Sequence, residues 1–230
     1  MGIKLGQDLI DVLRGKIGNT INNGDNNVIN LISNKNIKAI IINGNNNSVI
    51  SSSKNINVTI NIYGNNNRIL IEDNVTLNGD SINIGTPDSP SEYCIVKIGR
   101  CTSSNGIFIR LLENNSELNI GESCLFSTGI NIFCSDTHSI LNSKNGLINQ
   151  GKKIIIGNRV WCGMDVKIGK NVEISDDTII GWGSVVTKSF SQTNIIIARN
   201  PAKVIKDNVH WDVNRPQFFL NKQEQTELRA

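Results

Sequence analysis

Between residues 156 and 190 an apolar side chain returns every sixth position: Ile156, Cys162, Ile168, Ile174, Ile180 and Val186 open successive hexads. The second position of each hexad is Gly, Ser or Thr, and the fifth (Val160, Val166, Val172, Thr178, Ser184, Phe190) is apolar or small. This rhythm predicts one short strand and one corner per hexad, with positions one and five turned inward and the chain bending at the small second position. Three hexads close a triangular coil, and coils stack at the ~4.8 Å strand spacing. The same register runs upstream through Ile120, Phe126 and Ile132 and breaks at His138. The polar stretch 139–153 has no hexad order and predicts a loop protruding from one corner. Insertions of that kind in a compact domain are often functional.

The amino-terminal third keeps a different beat. Gly24-Asp-Asn-Asn27, Gly44-Asn-Asn-Asn47 and Gly64-Asn-Asn-Asn67 recur every 20 residues, each followed by an apolar strand segment. Read as coils with longer corners, 21–76 extends the solenoid of 77–206. The competing reading is a low-complexity, aggregation-prone tract. Within a leading segment 1–20, Leu9, Ile10 and Leu13 stand at helical spacing and predict a short helix over 7–16. The tail 207–230, with Trp211, Pro216, Phe218 and Phe219, is expected to cap an open end of the coil or to pack on another subunit. The predicted class is therefore all-β, a parallel triangular solenoid.

Composition narrows the function. Asn and Ile each supply about one residue in six, a mixture suited to short strands and tight corners. A formal charge of +3 over 230 residues gives no sign of a nucleic-acid or membrane-surface protein. No apolar run reaches the ~18 residues of a membrane span, and Met1–Leu31 lacks a signal-peptide layout. The five cysteines are scattered singly and read as reduced thiols, so a cytoplasmic protein is expected. Two histidines are too few for a zinc hydrase, and no metal is expected.

With the hexads in place, Ser135-Asp-Thr-His138-Ser-Ile140, Arg159-Val-Trp161-Cys-Gly163, Gly181-Trp-Gly-Ser-Val-Val-Thr-Lys188, Asn200-Pro-Ala-Lys203 and Lys206-Asp-Asn-Val-His-Trp211 resemble the left-handed β-helix, or hexapeptide-repeat, acetyltransferases. The similarity covers about residues 95–212 and leans towards the branch that O-acetylates capsular and O-antigen sugars, sialic-acid polymers included. The resemblance implies a homotrimer with sites between subunits, acetyl-CoA in the groove between them, and a polysaccharide or sugar acceptor.

It also implies roles. His138 matches the base that deprotonates the acceptor hydroxyl, and imidazole suits that task near neutral pH. Asp136, two residues earlier at a nominally inward position, is a candidate to orient the ring; backbone carbonyls serve equally well. Trp161 matches a tryptophan at the cofactor's reactive end, although an outward tryptophan also suits subunit packing. Gly163 and Met164 follow it. Met164 stands where some sugar acetyltransferases carry serine, which leaves a backbone N–H as oxyanion donor. Gly181, Trp182, Thr187 and Lys188 align with coils beside the pantetheine arm. Lys203 and Lys206 match phosphate-facing basic positions, and Arg199 replaces the usual glycine and can add a phosphate contact. Apart from the resemblance, Arg110, Lys144, Lys152 and Lys153 are candidates to attract an anionic acceptor such as sialic acid; the competing reading is that they are simply solvated charges.

Three other readings stay open: an N-acetyltransferase acting on a nucleotide-linked amino sugar, a small-molecule O-acetyltransferase, and a non-catalytic solenoid scaffold. Cys162 as acetyl-carrying nucleophile is disfavoured, because its hexad position points inward.

Overall fold

The computed structural model describes residues 19–220, so the helix expected over 7–16 lies outside the described residues. Among the described residues, twenty of twenty-one short strands, numbered in chain order, form three columns of parallel neighbours. The first face stacks β2 (Val28–Leu31), β4 (Ser48–Ser51), β6 (Arg68–Ile71), β8 (Ile95–Ile98), β11 (Glu117–Ile120), β14 (Lys153–Ile156) and β17 (Val172–Ile174). The third stacks β1 (Thr20–Asn23), β3 (Ala39–Asn43), β5 (Asn55–Tyr63), β7 (Thr76–Ile84), β10 (Ile107–Leu111), β13 (Ile130–Phe133), β16 (Lys167–Ile168) and β19 (Val185–Val186). The second lies between them in chain order. It begins with the leading residues of β5 and β7 and continues through β9 (Ser103–Ser104), β12 (Leu125–Phe126), β15 (Trp161–Cys162), β18 (Ile179–Ile180) and β20 (Ile196–Ala198).

The β5–β7 register shifts between Asn57 and Val58 where those long strands round a corner from the second face to the third. Residues 203–206 do not continue the parallel winding, as the hexads had implied. They form β21 (Lys203–Lys206), antiparallel on β20, and so cover its free edge.

The interior is the aliphatic ladder that the hexads require. On the third face Ile40, Ile60, Ile82, Ile109, Ile132, Ile168 and Val186 stack in register, all buried. Hexad positions one and five are buried throughout 156–190. The bend, however, is not at position two. The left-handed backbone sits at position four, as in Ser123 (φ 55°), Asp165 (58°), Asn171 (56°) and Asp177 (55°). Position two is small for another reason: a Cβ on Gly121 would stand 2.6 Å from the Gly157 carbonyl carbon and oxygen of the next coil. Coil-to-coil contact, not chain reversal, selects the glycine.

The Asn motifs are ordered coils. Asn26, Asn46 and Asn66 take the left-handed corner. The next residues, Asn27, Asn47 and Asn67, turn inward and form a buried amide ladder. Asn47 Nδ2 donates to the Gly64 carbonyl at 2.9 Å and to Asn27 Oδ1 at 3.1 Å, and its own Oδ1 accepts the Asn67 amide at 2.9 Å. The ladder ends where Asn67 Oδ1 accepts the Cys94 amide. Buried polar corners are thereby satisfied without charge.

Candidate active site

The protruding segment joins β13 to β14. Leu118 pairs with Ile154 and Ile154 with Val172, so one coil consumes 36 residues and the next only 18. The extra length leaves the prism at the corner of the third and first faces. The tip is a small hairpin: Leu141 bridges Leu147, the Ile148 amide donates to the Ile140 carbonyl at 3.0 Å, and Asn142 closes the turn.

Two residues unremarked in the sequence tie this loop down. Asn149 Nδ2 donates to Asp136 Oδ2 at 2.9 Å and to the His138 carbonyl at 2.8 Å, while its Oδ1 accepts the Ile140 amide at 2.7 Å. Lys170, one coil on, donates to both the Asp136 carboxylate and the Asn149 carbonyl. Lys170 and Asn149 hold the Asp136 carboxyl below its ordinary value. No spacing rule finds either residue, because their partnership depends on how the insertion folds back.

Asp136 is therefore not inward, as the hexad count implied, but exposed. The left-handed turn at Thr137 (φ 71°) breaks the alternation that would have set residues 136 and 138 side by side. The carboxylate is engaged by Lys170 and Asn149, and what reaches His138 is the Asp136 carbonyl, which accepts the His138 amide at 2.8 Å. The His138 imidazole is exposed, and no hydrogen bond among the described residues holds its ring nitrogens. A groove of about 460 Å³ opens along the third face, walled by Phe133, Asp136, Thr137, Ile168, Lys170, Val185 and Thr187; His138 follows Thr137 in the chain and is not itself part of the wall. Thr187 thus shares a cleft with the loop base. Arg110 lies over the Phe108 and Phe133 rings at 6.0 and 5.5 Å.

The remaining candidates, Lys188 apart, lie on or next to the second face. Trp161 projects from β15, and its ring lies 6.2 Å from that of Trp211. Gly163 and Gly181 follow on the same columns, their amides donating to Ile180 and Ile197 of successive coils at 2.8 and 2.9 Å. A Cβ on Gly163 would stand 2.2 Å from Trp182 Cδ1, so glycine here makes room for that side chain, which is itself 70% exposed. The Met164 carbonyl accepts the Gly183 amide. Arg199 has φ 92°, a conformation that favours glycine, and its carbonyl accepts the Val185 amide at 3.1 Å. Lys203 and Lys206 are exposed at the two ends of β21. Lys188 turns towards the Phe190 ring, 5.4 Å away.

Within one chain His138 and Trp161 do not meet. The loop leaves the corner opposite the second face, so the two lie on different sides of the prism. The cysteines at the core are inert: Cys162 is fully buried and burial raises its thiol well above the ordinary range, while Cys124 and Cys134 are pushed up to about 12. Lys153 is paired with Glu117 at 2.9 Å.

No family model matches this chain. Individual relatives do. A polysialic acid O-acetyltransferase of Neisseria meningitidis is 35% identical over 152 residues, covering 62% of this chain and 70% of the relative. Two solved structures match nearly the whole fold. The polysialic-acid-specific acetyltransferase NeuO superposes with a TM-score of 0.75 at 28% identity, over 90% of this chain and 97% of that one. The polysialic acid O-acetyltransferase OatWY gives 0.74 at 30% identity over the same shares. This chain belongs to the polysialic acid O-acetyltransferase branch of the hexapeptide-repeat acetyltransferases.

Proposed function

We propose that this protein transfers acetyl from acetyl-CoA directly to a hydroxyl of a sialic-acid-type capsular polysaccharide, with His138 as general base. The observation that carries this reading is His138 itself, an exposed imidazole with unoccupied ring nitrogens. Its carbonyl is held by Asn149, whose own carbonyl accepts a hydrogen bond from Lys170, and the preceding residue, Thr137, lines the open third-face groove. A sugar hydroxyl is a weak nucleophile, and a positioned base is typically worth ~10²–10⁴ in rate. The ring takes the hydroxyl proton as the oxygen attacks the thioester carbonyl. A backbone N–H stabilises the oxyanion, and the same proton passes to the departing CoA sulfur. The acyl group never rests on a cysteine, in keeping with the burial of Cys162.

The site is completed by assembly. His138 and Trp161 sit on different sides of one prism, so the loop corner of one subunit facing the second face of a neighbour unites them. This favours a homotrimer of left-handed β-helices, the winding shared by the structural neighbours. Trp161, Gly163, Met164, Gly181 and Trp182 then flank the acyl and pantetheine portions of acetyl-CoA, with Thr187 and Lys188 contributed from the third-face side of the loop-bearing subunit. The exposed Arg199, Lys203 and Lys206 meet the nucleotide phosphates. Lys167 in the third-face groove, and Arg110 stacked over the Phe133 ring that lines it, offer positive charge to an acidic sugar. The setting is cytoplasmic, where acetyl-CoA is available. Incubating the purified protein with labelled acetyl-CoA and a panel of polysaccharides tests the reading: label enters sialic-acid polymer as a base-labile ester. Label entering only amines or free small sugars would contradict it.

A further inference from the structure

We infer that the uncharged face running away from Trp161 holds the remote sugar units of a polymeric acceptor, a role for the asparagine-rich coils that rests on the acceptor assignment above. Strand register makes the second face continuous. One outward column runs Trp161, Leu125, Ser103, Thr76, Asn55, and the neighbouring column runs Gly163, Ser127, Asn105, Asn78, Asn57. Above the site, the eight outward positions from Ser127 and Leu125 to Asn57 and Asn55 carry no charge.

Within that column the amides are in contact: Asn78 Nδ2 donates to Asn105 Oδ1 at 3.2 Å and Asn57 Nδ2 to Asn78 Oδ1 at 3.5 Å. Each link uses one donor hydrogen, so Asn57 and Asn78 each keep a second N–H, Asn105 keeps both, and all three retain acceptor capacity. A groove of about 400 Å³ lies along them, walled by Asn36, Asn55, Asn57, Thr76, Asn78 and Asn105.

Regularly spaced, preoriented amides with no charge and little apolar surface suit one class of ligand, an extended chain of hydroxyls and amides. From the Trp161 coil to the Asn57 coil is four steps of ~4.8 Å, about 19 Å, enough for several linked sugar rings. Binding energy gathered there is remote from the reacting hydroxyl, so it distinguishes long acceptors from short ones. Because the face is neutral, its contribution is insensitive to salt.

The test compares kinetics of the full chain on a sialic acid disaccharide and on a long sialic acid polymer, at low and high salt. The parent enzyme is expected to have a lower KM for the polymer, and that advantage persists in high salt. Asn57→Ala/Asn78→Ala/Asn105→Ala should raise the polymer KM about ten-fold, leaving the acetyl-CoA KM and disaccharide kinetics as they were. Asn78→Asp, a near-isosteric change that keeps the proposal testable should the triple variant misfold, should likewise weaken only the polymer by charge repulsion. An unchanged polymer KM in Asn78→Asp, an equal loss on both acceptors, a length advantage abolished by salt, or a change of assembly mass would each overturn the inference. Failure of the parent enzyme to acetylate either acceptor would overturn the acceptor assignment and this inference with it.

Discussion

Trp211 of the tail lies against Trp161 of β15, rings 6.2 Å apart and tilted by 47°, and its indole N–H donates to the Arg159 carbonyl at 2.6 Å. Arg159 completes the clasp, with its guanidinium 5.6 Å from the Trp211 ring and a 2.7 Å bond to Asp177. The tail is therefore sewn to the coil that bears Trp161. Trp211→Ala leaves an indole-sized gap and an unpaired Arg159 carbonyl. It should cost roughly 3 kcal/mol in chemical denaturation. Trp211→Phe should recover part of the loss. A loss below about 1 kcal/mol would show that the tail does not brace this coil.

The inward amide ladder makes a sharper demand. Asn47→Ala removes the partner of both the Gly64 carbonyl and the Asn67 amide, which are buried. At about 1–3 kcal/mol for each stranded group, the variant should lose roughly 2–5 kcal/mol or fail to accumulate. The neighbouring corner residue Asn46 has no such inward role, so Asn46→Gly should be nearly neutral in the same melting assay.

Asp80 predicts a pH dependence. It is buried, accepts hydrogen bonds from Ser104 Oγ and the Ile107 amide on one oxygen at 2.7 Å each, and its second oxygen has no hydrogen-bond partner among the described residues. Burial raises its pKa above the reference value of 3.8. A carboxyl raised by folding costs stability when charged, and the cost is relieved as pH falls through the folded pKa. Compared with Asp80→Asn, the parent protein should gain relative stability as melting is followed from about pH 8 down to about pH 4. A constant difference would contradict the burial argument.

Much of this fold was legible. Position one and position five of each hexad named the buried ladder, and the Gly-x-Asn-Asn beat named further coils. What the sequence concealed is what depends on neighbouring coils rather than on neighbours in the chain. Position two looked like the bend because glycine marks turns, yet at Gly121 it answers to the next coil's backbone. The polarity pattern carries no sign that corners bury Asn47 and Asp80. At the site, His138 and its loop stood out as an interruption of a strict rhythm. Asn149 and Lys170 did not, since their contacts arise only once the insertion folds onto the following coil, and Asp136 was misoriented by extending strand alternation through the turn at Thr137.

The account turns on whether the exposed ring performs chemistry or merely decorates a corner. Because no hydrogen bond among the described residues holds the His138 imidazole, His138→Ala should melt with the parent protein and keep its assembly mass. The decisive measurement is kcat for acetyl transfer from acetyl-CoA to sialic acid polymer in that variant. A fall of about 10²–10⁴ with acetyl-CoA binding retained is the result expected of a lost general base. Turnover within a few-fold of the parent would contradict it.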